Sequence, residues 1–194
     1  MKTYIQIGSN VGNDPFQRMI EALEERSRVV LVEPNPHIKN ILLGNYQPLA
    51  DKHELILCTF GISNVEGDAE LYFYWDSQLS SLIKRKTTNA DPVGFAKIQI
   101  ITLKKLCDSL DIKDIDHLSI DTEGLDYHIL MSIDLNERNI SEIIFEEWWP
   151  EQDDINGVYD TGPHLLEKVK EKYKDYNWER IVLENMQNFK LNKK

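Results

Sequence analysis

Short β-rich runs alternate along this chain with longer stretches whose apolar residues recur at helical spacing, the pattern of a parallel α/β sheet. Tyr4 to Ile7 predicts a first strand. After a glycine-containing loop, Asp14 is placed to cap a helix that has Pro15 at its first position and Gln17 three residues on. Phe16, Met19, Ile20 and Leu23 carry its apolar face to about Arg26, and Val29-Val30-Leu31-Val32 reads as a second, fully buried strand. A second helix is expected over 37–46 and a third strand over 55–60. Residues 69–75 and 97–101 read as two further strands that pair antiparallel across a polar loop. A helix over 103–110, a strand over 117–121, a helix over 125–133 and a buried strand over 142–146 follow. Beyond Pro150 an acidic linker leads to a helix over 162–173, and 178–184 with 188–191 reads as a closing hairpin around Asn185. The expected fold is α/β, a mostly parallel doubly wound sheet with an antiparallel edge.

Composition narrows the partners. The 194 residues, 41% of them hydrophobic, suit one buried core, so a single domain over 1–194 is expected. A net charge of -11 repels a polyphosphate, and the only dense basic run is Lys84-Arg85-Lys86, so nucleic acid is a disfavoured partner. Cys58 and Cys107 lie far apart in apolar segments and read as buried free thiols, not as a disulfide or a zinc site. No stretch approaches ~18 apolar residues and no basic leader precedes the first strand. A cytoplasmic protein with no membrane partner is the expectation; the oligomeric state is left open.

Three segments carry candidate chemistry. The first is Gly8-Ser9-Asn10-Val11-Gly12, where a strand runs into glycines and then a capped helix: glycine lets the backbone approach a ligand, and a helix start offers free amides. A tight turn alone also accounts for two glycines. The second is Glu33, about 20 residues past that loop at the end of the next strand, where Rossmann-like folds hold ribose hydroxyls; solvation or helix capping is the plain alternative. The third is Asp121-Thr122-Glu123-Gly124, two carboxylates at the mouth of a parallel strand. Being two apart they point the same way, and they could hold a substrate, act as base, or hold a hard metal ion, although Glu123 also reads as a cap for the following helix. His128, further along that helix, either reaches the same cleft or is structural. Trp148 and Trp149, after the next strand, read equally as an acceptor pocket wall or as packing.

Taken in order, Ile5-Gln6-Ile7-Gly8-Ser9-Asn10-Val11-Gly12, Val32-Glu33-Pro34-Asn35-Pro36, Gly61-Ile62-Ser63, Leu79-Ser80-Ser81-Leu82, Ile101-Thr102-Leu103 and Ile120-Asp121-Thr122-Glu123-Gly124 resemble the FkbM family of S-adenosylmethionine-dependent methyltransferases over roughly residues 3–147. The family pattern has an acid where Gln6 stands and alanine where Ser9 stands. The resemblance implies a Rossmann-like class I methyltransferase fold with S-adenosylmethionine as cofactor. It implies that Gly8, Ser9, Asn10 and Gly12 wrap the methionine part, Glu33 holds the ribose, and Gly61, Ile62 and Pro34 flank the adenine. Asp121 then sits near the sulfonium and the acceptor, with Asp121 or Glu123 as base. Trp75, Ser80, Ser81 and Trp148 are acceptor-side candidates. A divalent metal is compatible with the two acids but not specifically indicated. The implied reaction is O-methylation of a sugar, glycan or small natural product. Two competing readings are a non-catalytic cofactor-binding or scaffold domain, which Gln6 keeps open, and a nicotinamide-dependent oxidoreductase, against which the glycine spacing and the lack of a Tyr-x-x-x-Lys pair count.

Overall fold

The computed structural model describes residues 1–75, 79–84, 91–146, 164–183 and 186–194. The chain runs β1 (Thr3–Ile7), α1 (Pro15–Ala22), β2 (Arg28–Val32), α2 (Lys39–Tyr46), a 3-10 turn (Gln47–Leu49), β3 (Glu54–Cys58), β4 (Gly61–Ile62), β5 (Gly67–Phe73), β6 (Gly94–Ile101) and α3 (Leu103–Ser109). It continues through β7 (Asp114–Ile120), α4 (Asp126–Ser132), β8 (Asn139–Glu146), α5 (His164–Lys172), β9 (Tyr176–Leu183) and β10 (Met186–Lys193).

Seven strands form one sheet in the order β3-β2-β1-β7-β8-β10-β9. The first five pair in parallel, and β10 runs antiparallel to both β8 and β9, giving the expected antiparallel edge. From β1 the chain winds outward through β2 and β3, then returns to the other side of β1 with β7. The strand order therefore reverses between β1 and β7, which is where open α/β sheets leave a crevice beyond their carboxyl ends. Register aligns that edge: Ile7 pairs with Val32 on one side and with Ile120 on the other. Gly8, Glu33 and Asp121, each one residue further on, thus emerge together.

Strand β2 is apolar on both faces from Val29 to Val32 because both faces of the sheet are covered. Tyr4, Val29 and Leu31 pack with Phe16 and Ile20 of α1 and Leu42 and Tyr46 of α2. Ile5, Ile7, Val30 and Val32, facing the other way, join Leu106 of α3, Ile129 and Leu130 of α4, and Val169 of α5. The period of two along β1 and β2 places alternate residues in the two cores.

Several boundaries differ from expectation. Helix α1 stops at Ala22, not near Arg26, because Leu23 turns extended and no apolar residue stands between it and Val29 to hold a further turn on the sheet. Helix α2 starts at Lys39, since Asn35 accepts a hydrogen bond from the His37 amide and holds that stretch in a turn. Strands β5 and β6 do pair antiparallel, but with β4 alongside β6 they make a separate three-stranded sheet. The expected features at Arg85-Lys86, the linker after Pro150, Gly162 and the Glu184-Asn185 turn lie outside the described residues. Among the described residues no helix is long and apolar enough to cross a membrane.

Candidate functional site

The loop after β1 is shaped by backbone conformations that few residues adopt. Gly8 has φ +83°, and Asn10, Gly12 and Asn13 are also left-handed, which suits glycine and asparagine. The Gly8 and Ser9 amides both donate to the Val32 carbonyl, at 2.9 and 3.1 Å, turning the chain across the end of β2. A β-carbon on Gly8 would collide with the Asp121 carbonyl oxygen, so glycine here is what lets the ends of β1 and β7 lie against one another.

Glu33 pins this loop. One carboxylate oxygen accepts from the Asn10 amide at 2.7 Å and the other from the Asn35 amide at 2.8 Å. Burial holds its carboxyl above the usual range, and those two amides offset part of that rise. Further along, Gln17 accepts from the Asn13 amide at 2.5 Å, and Asn45 donates to the Val11 carbonyl at 2.7 Å, anchoring the loop to α1 and α2.

On the opposite wall the Asp121 amide donates to the Ile7 carbonyl at 2.9 Å, extending the ladder by one residue. The turn that follows is organised by Asp126. One of its oxygens accepts from both the amide and the hydroxyl of Thr122, and the other accepts from the Glu146 amide at 3.3 Å. The buried Asp126 therefore ties the end of β8 to the end of β7. Carboxylate oxygens of Asp121, Glu123 and Glu146 consequently lie within 4.8 Å of one another. Burial, then the neighbouring Asp126, Glu123, Glu146 and Asp14, hold the Asp121 carboxyl well above the ordinary range. Burial pushes Asp126 up to about 6 despite its three hydrogen bonds.

These elements enclose a cavity of about 220 Å³. Of the residues singled out in the sequence, Gly8, Asn10, Gly12, Glu33, Pro34, Gly61, Ile62, Ser80, Ser81, Asp121 and Glu123 line it. Two expectations do not hold. Ser9 is fully buried beneath the loop, its hydroxyl donating to the Gln6 carbonyl at 3.3 Å, because the reversal at Gly8 turns it toward β1. Trp75 is 92% exposed and off the wall: the preceding Tyr74 is turned inward, and the next residue of an extended chain faces the other way. The residue before α4 is Leu125, which makes no side-chain cap; Glu123 has φ +57° and its carbonyl accepts from the Ser81 hydroxyl at 2.8 Å. His128 is not on the wall, and Trp148 and Trp149 lie outside the described residues.

Sequence reasoning missed Asp14 as a wall residue and Asp126 as the tie between strands. Asp14 had been read only as a helix cap, which it also is, accepting from the Gln17 amide at 2.8 Å. For Asp126 the available signal was a third acid within the Asp121-Thr122-Glu123-Gly124-Leu125-Asp126 run.

The charge of the wall is one-sided. Among the described residues it carries Asp14, Glu33, Asp121 and Glu123 and no Lys, Arg or His. Two buried acceptor atoms on it, Asn10 Oδ1 and Asp121 Oδ1, have no hydrogen-bond partner among the described residues. Such a lining suits a ligand that brings positive charge and donors.

A family model described as the methyltransferase FkbM domain matches residues 6–180. Among solved structures, the chain is similar to Aeropyrum pernix fibrillarin in complex with natively bound S-adenosyl-L-methionine, at 9% identity and TM-score 0.50, covering 98% of this chain and 65% of that one. It is also similar to a methyltransferase from Geobacter sulfurreducens, at 14% identity and TM-score 0.50, covering 100% of this chain and 71% of that one. M. capricolum TrmK in complex with S-adenosyl-homocysteine aligns at 12% identity and TM-score 0.48 over 99% of this chain and 62% of its own. The chain thus spans less than two thirds of the length of the TrmK and fibrillarin chains. No curated protein sequence matches.

Proposed function

The chain belongs to the FkbM methyltransferase family, and from that premise we propose that it binds S-adenosylmethionine in the cavity beyond β1, β2 and β7 and methylates a hydroxyl of a sugar, glycan or small natural product. The observation that carries this reading is the wall of four carboxylates which, among the described residues, has two unpartnered acceptors and no cation. It fits a cofactor that bears a sulfonium and an ammonium. It does not fit the pyrophosphate of a nicotinamide dinucleotide, which needs donors and positive charge.

When bound, S-adenosylmethionine supplies an electrophilic methyl group that needs alignment and a proton acceptor, not a covalent enzyme intermediate. Each Glu33 oxygen spends one lone pair on the loop and keeps another for a ribose hydroxyl. Pro34 and Ile62 offer apolar surface to an adenine ring, while Asn10 and Gly12 bring backbone close to the methionine end. Asp121 takes the proton from the acceptor hydroxyl; its raised carboxyl pKa matches the task better than an ordinary, weakly basic aspartate. Ser80 and Ser81, carried over the cavity between the strands of the small sheet, face the acceptor. We read 1–194 as one methyltransferase domain acting in the cytoplasm, a compartment that suits the free, buried Cys58 and Cys107.

Calorimetric titration with S-adenosylmethionine, S-adenosylhomocysteine and NADH tests the cofactor, and a methyl-transfer screen over hydroxyl compounds tests the reaction. Binding of the first two and not the third is expected. Binding of NADH alone would sink the reading, and cofactor binding with no turnover on any hydroxyl acceptor would leave a scaffold domain.

A further inference from the structure

Gln6 and Asp14 form a pair whose roles differ from what their places in the chain suggest. Gln6 is buried one residue before the end of β1, and it is not part of the cavity wall. Its amide Nε2 donates to Asp14 Oδ2 at 2.6 Å, and its Oε1 accepts from the buried Tyr46 hydroxyl at 3.5 Å. Both ends of the amide are therefore engaged within the protein. Asp14 is on the wall, and its carboxylate lies near enough to Asp121 to raise that residue's pKa. Its other oxygen is held by the Gln17 amide, so both oxygens are fixed and each retains a lone pair. On the neighbouring stretch of wall, Asn10 Oδ1 is buried with no partner among the described residues.

We infer that Asp14 is the residue that binds the ammonium group of the cofactor's amino-acid end, with Gln6 as a positioning residue that holds its carboxylate toward the cavity. This rests on the cofactor reading above and extends it. A neutral amide at position 6 brings no charge to an ammonium, but as a donor it fixes the carboxylate that does. Asn10 Oδ1 supplies a second acceptor for the same group, as an ammonium with three donors requires.

The test compares three ligands on the full chain by calorimetry: S-adenosylmethionine, S-adenosylhomocysteine, and 5′-methylthioadenosine, which lacks the amino-acid end. Asp14→Asn and Asp14→Ser both keep a side chain that caps helices well, so the charge is removed with little harm to α1. Both variants are expected to bind the first two ligands about tenfold or more weakly, the loss of a charged hydrogen bond, and to bind methylthioadenosine like the wild type. Gln6→Met is expected to show the same selective loss, smaller in size. Unchanged binding of all three by the Asp14 variants would overturn the inference while leaving the cofactor reading intact. An equal loss for all three ligands would also overturn it, assigning Asp14 to the loop alone. A loss confined to S-adenosylmethionine would overturn it by moving the charge to the sulfonium. Failure of the wild-type protein to bind any of the three would overturn the cofactor reading itself, and the inference with it.

Discussion

Gly8 lies so close beneath the Asp121 carbonyl that a β-carbon at this position would occupy the space of the oxygen. The contact joins the ends of the two strands between which the sheet reverses direction, so it sets the floor of the cavity as well as the packing of β1 on β7. Gly8→Ala adds a collision with backbone, which cannot move aside like a side chain, and places a non-glycine residue at φ +83°. We expect a loss of stability of about 2–4 kcal/mol, read by urea unfolding, together with loss of cofactor binding in whatever fraction remains folded. A variant with wild-type stability and affinity would show that the loop carries no such constraint.

Glu33 has a double task, and its two parts separate by substitution. Glu33→Ala removes the acceptor for the Asn10 and Asn35 amides and the proposed partner of the ribose. Affinity for S-adenosylmethionine is expected to fall by about 1–3 kcal/mol in a protein that still folds. Glu33→Gln keeps one carbonyl oxygen for an amide but presents an NH2 group to the other, so it should disturb the loop nearly as much. Measured by calorimetry beside far-ultraviolet circular dichroism, unchanged affinity in a folded Glu33→Ala protein would remove Glu33 from the site.

Much of the frame was legible because it rests on short-range pattern. Val29 to Val32 are apolar on both faces, the mark of a covered parallel strand, and the acid following such a run falls at the sheet's carboxyl edge wherever the strand lies. Glu33 and Asp121 could be singled out on that basis, and Gly8 from the glycines that follow β1. The direction of a loop side chain was not legible. Ser9 turns inward because the backbone reverses at Gly8, and Trp75 turns outward because Tyr74 is buried, and both follow from tertiary packing. Strand β4, two residues long, has too short a run to show a period. Asp126 looked like one acid among several because its role depends on the Glu146 amide, twenty positions away in sequence.

Asp126→Asn tests that tie. An asparagine keeps an oxygen for Thr122 but points an NH2 group at the Glu146 amide, leaving two donors facing each other. A loss of about 1–3 kcal/mol at neutral pH is expected from the unmatched donor. The pH dependence should change as well. The folded-state pKa of about 6 lies above the ordinary 3.8, so the folded protein keeps a proton that the unfolded chain releases. Stability from this group is therefore full below about pH 4 and falls as pH rises through about 6. Asp126→Asn should flatten that decline in urea-denaturation series; an identical slope in both proteins would place the proton elsewhere.

Cofactor binding should release protons. Burial and the acids around it hold the Asp121 carboxyl well above its ordinary range. A sulfonium and an ammonium entering the cavity that Asp121 lines stabilise its ionised carboxylate, which lowers that pKa on binding. By linkage, affinity for S-adenosylmethionine must then rise with pH, by up to about tenfold per unit for each proton released, and level off once the free protein has ionised. S-Adenosylhomocysteine has no sulfonium charge and should show a shallower rise. Calorimetry across about pH 5 to 8, in two buffers of different ionisation enthalpy, counts the protons directly. A flat profile with no release would mean that the bound cation does not face this carboxylate, and Asp121 would lose its assigned place beside the transferred methyl group.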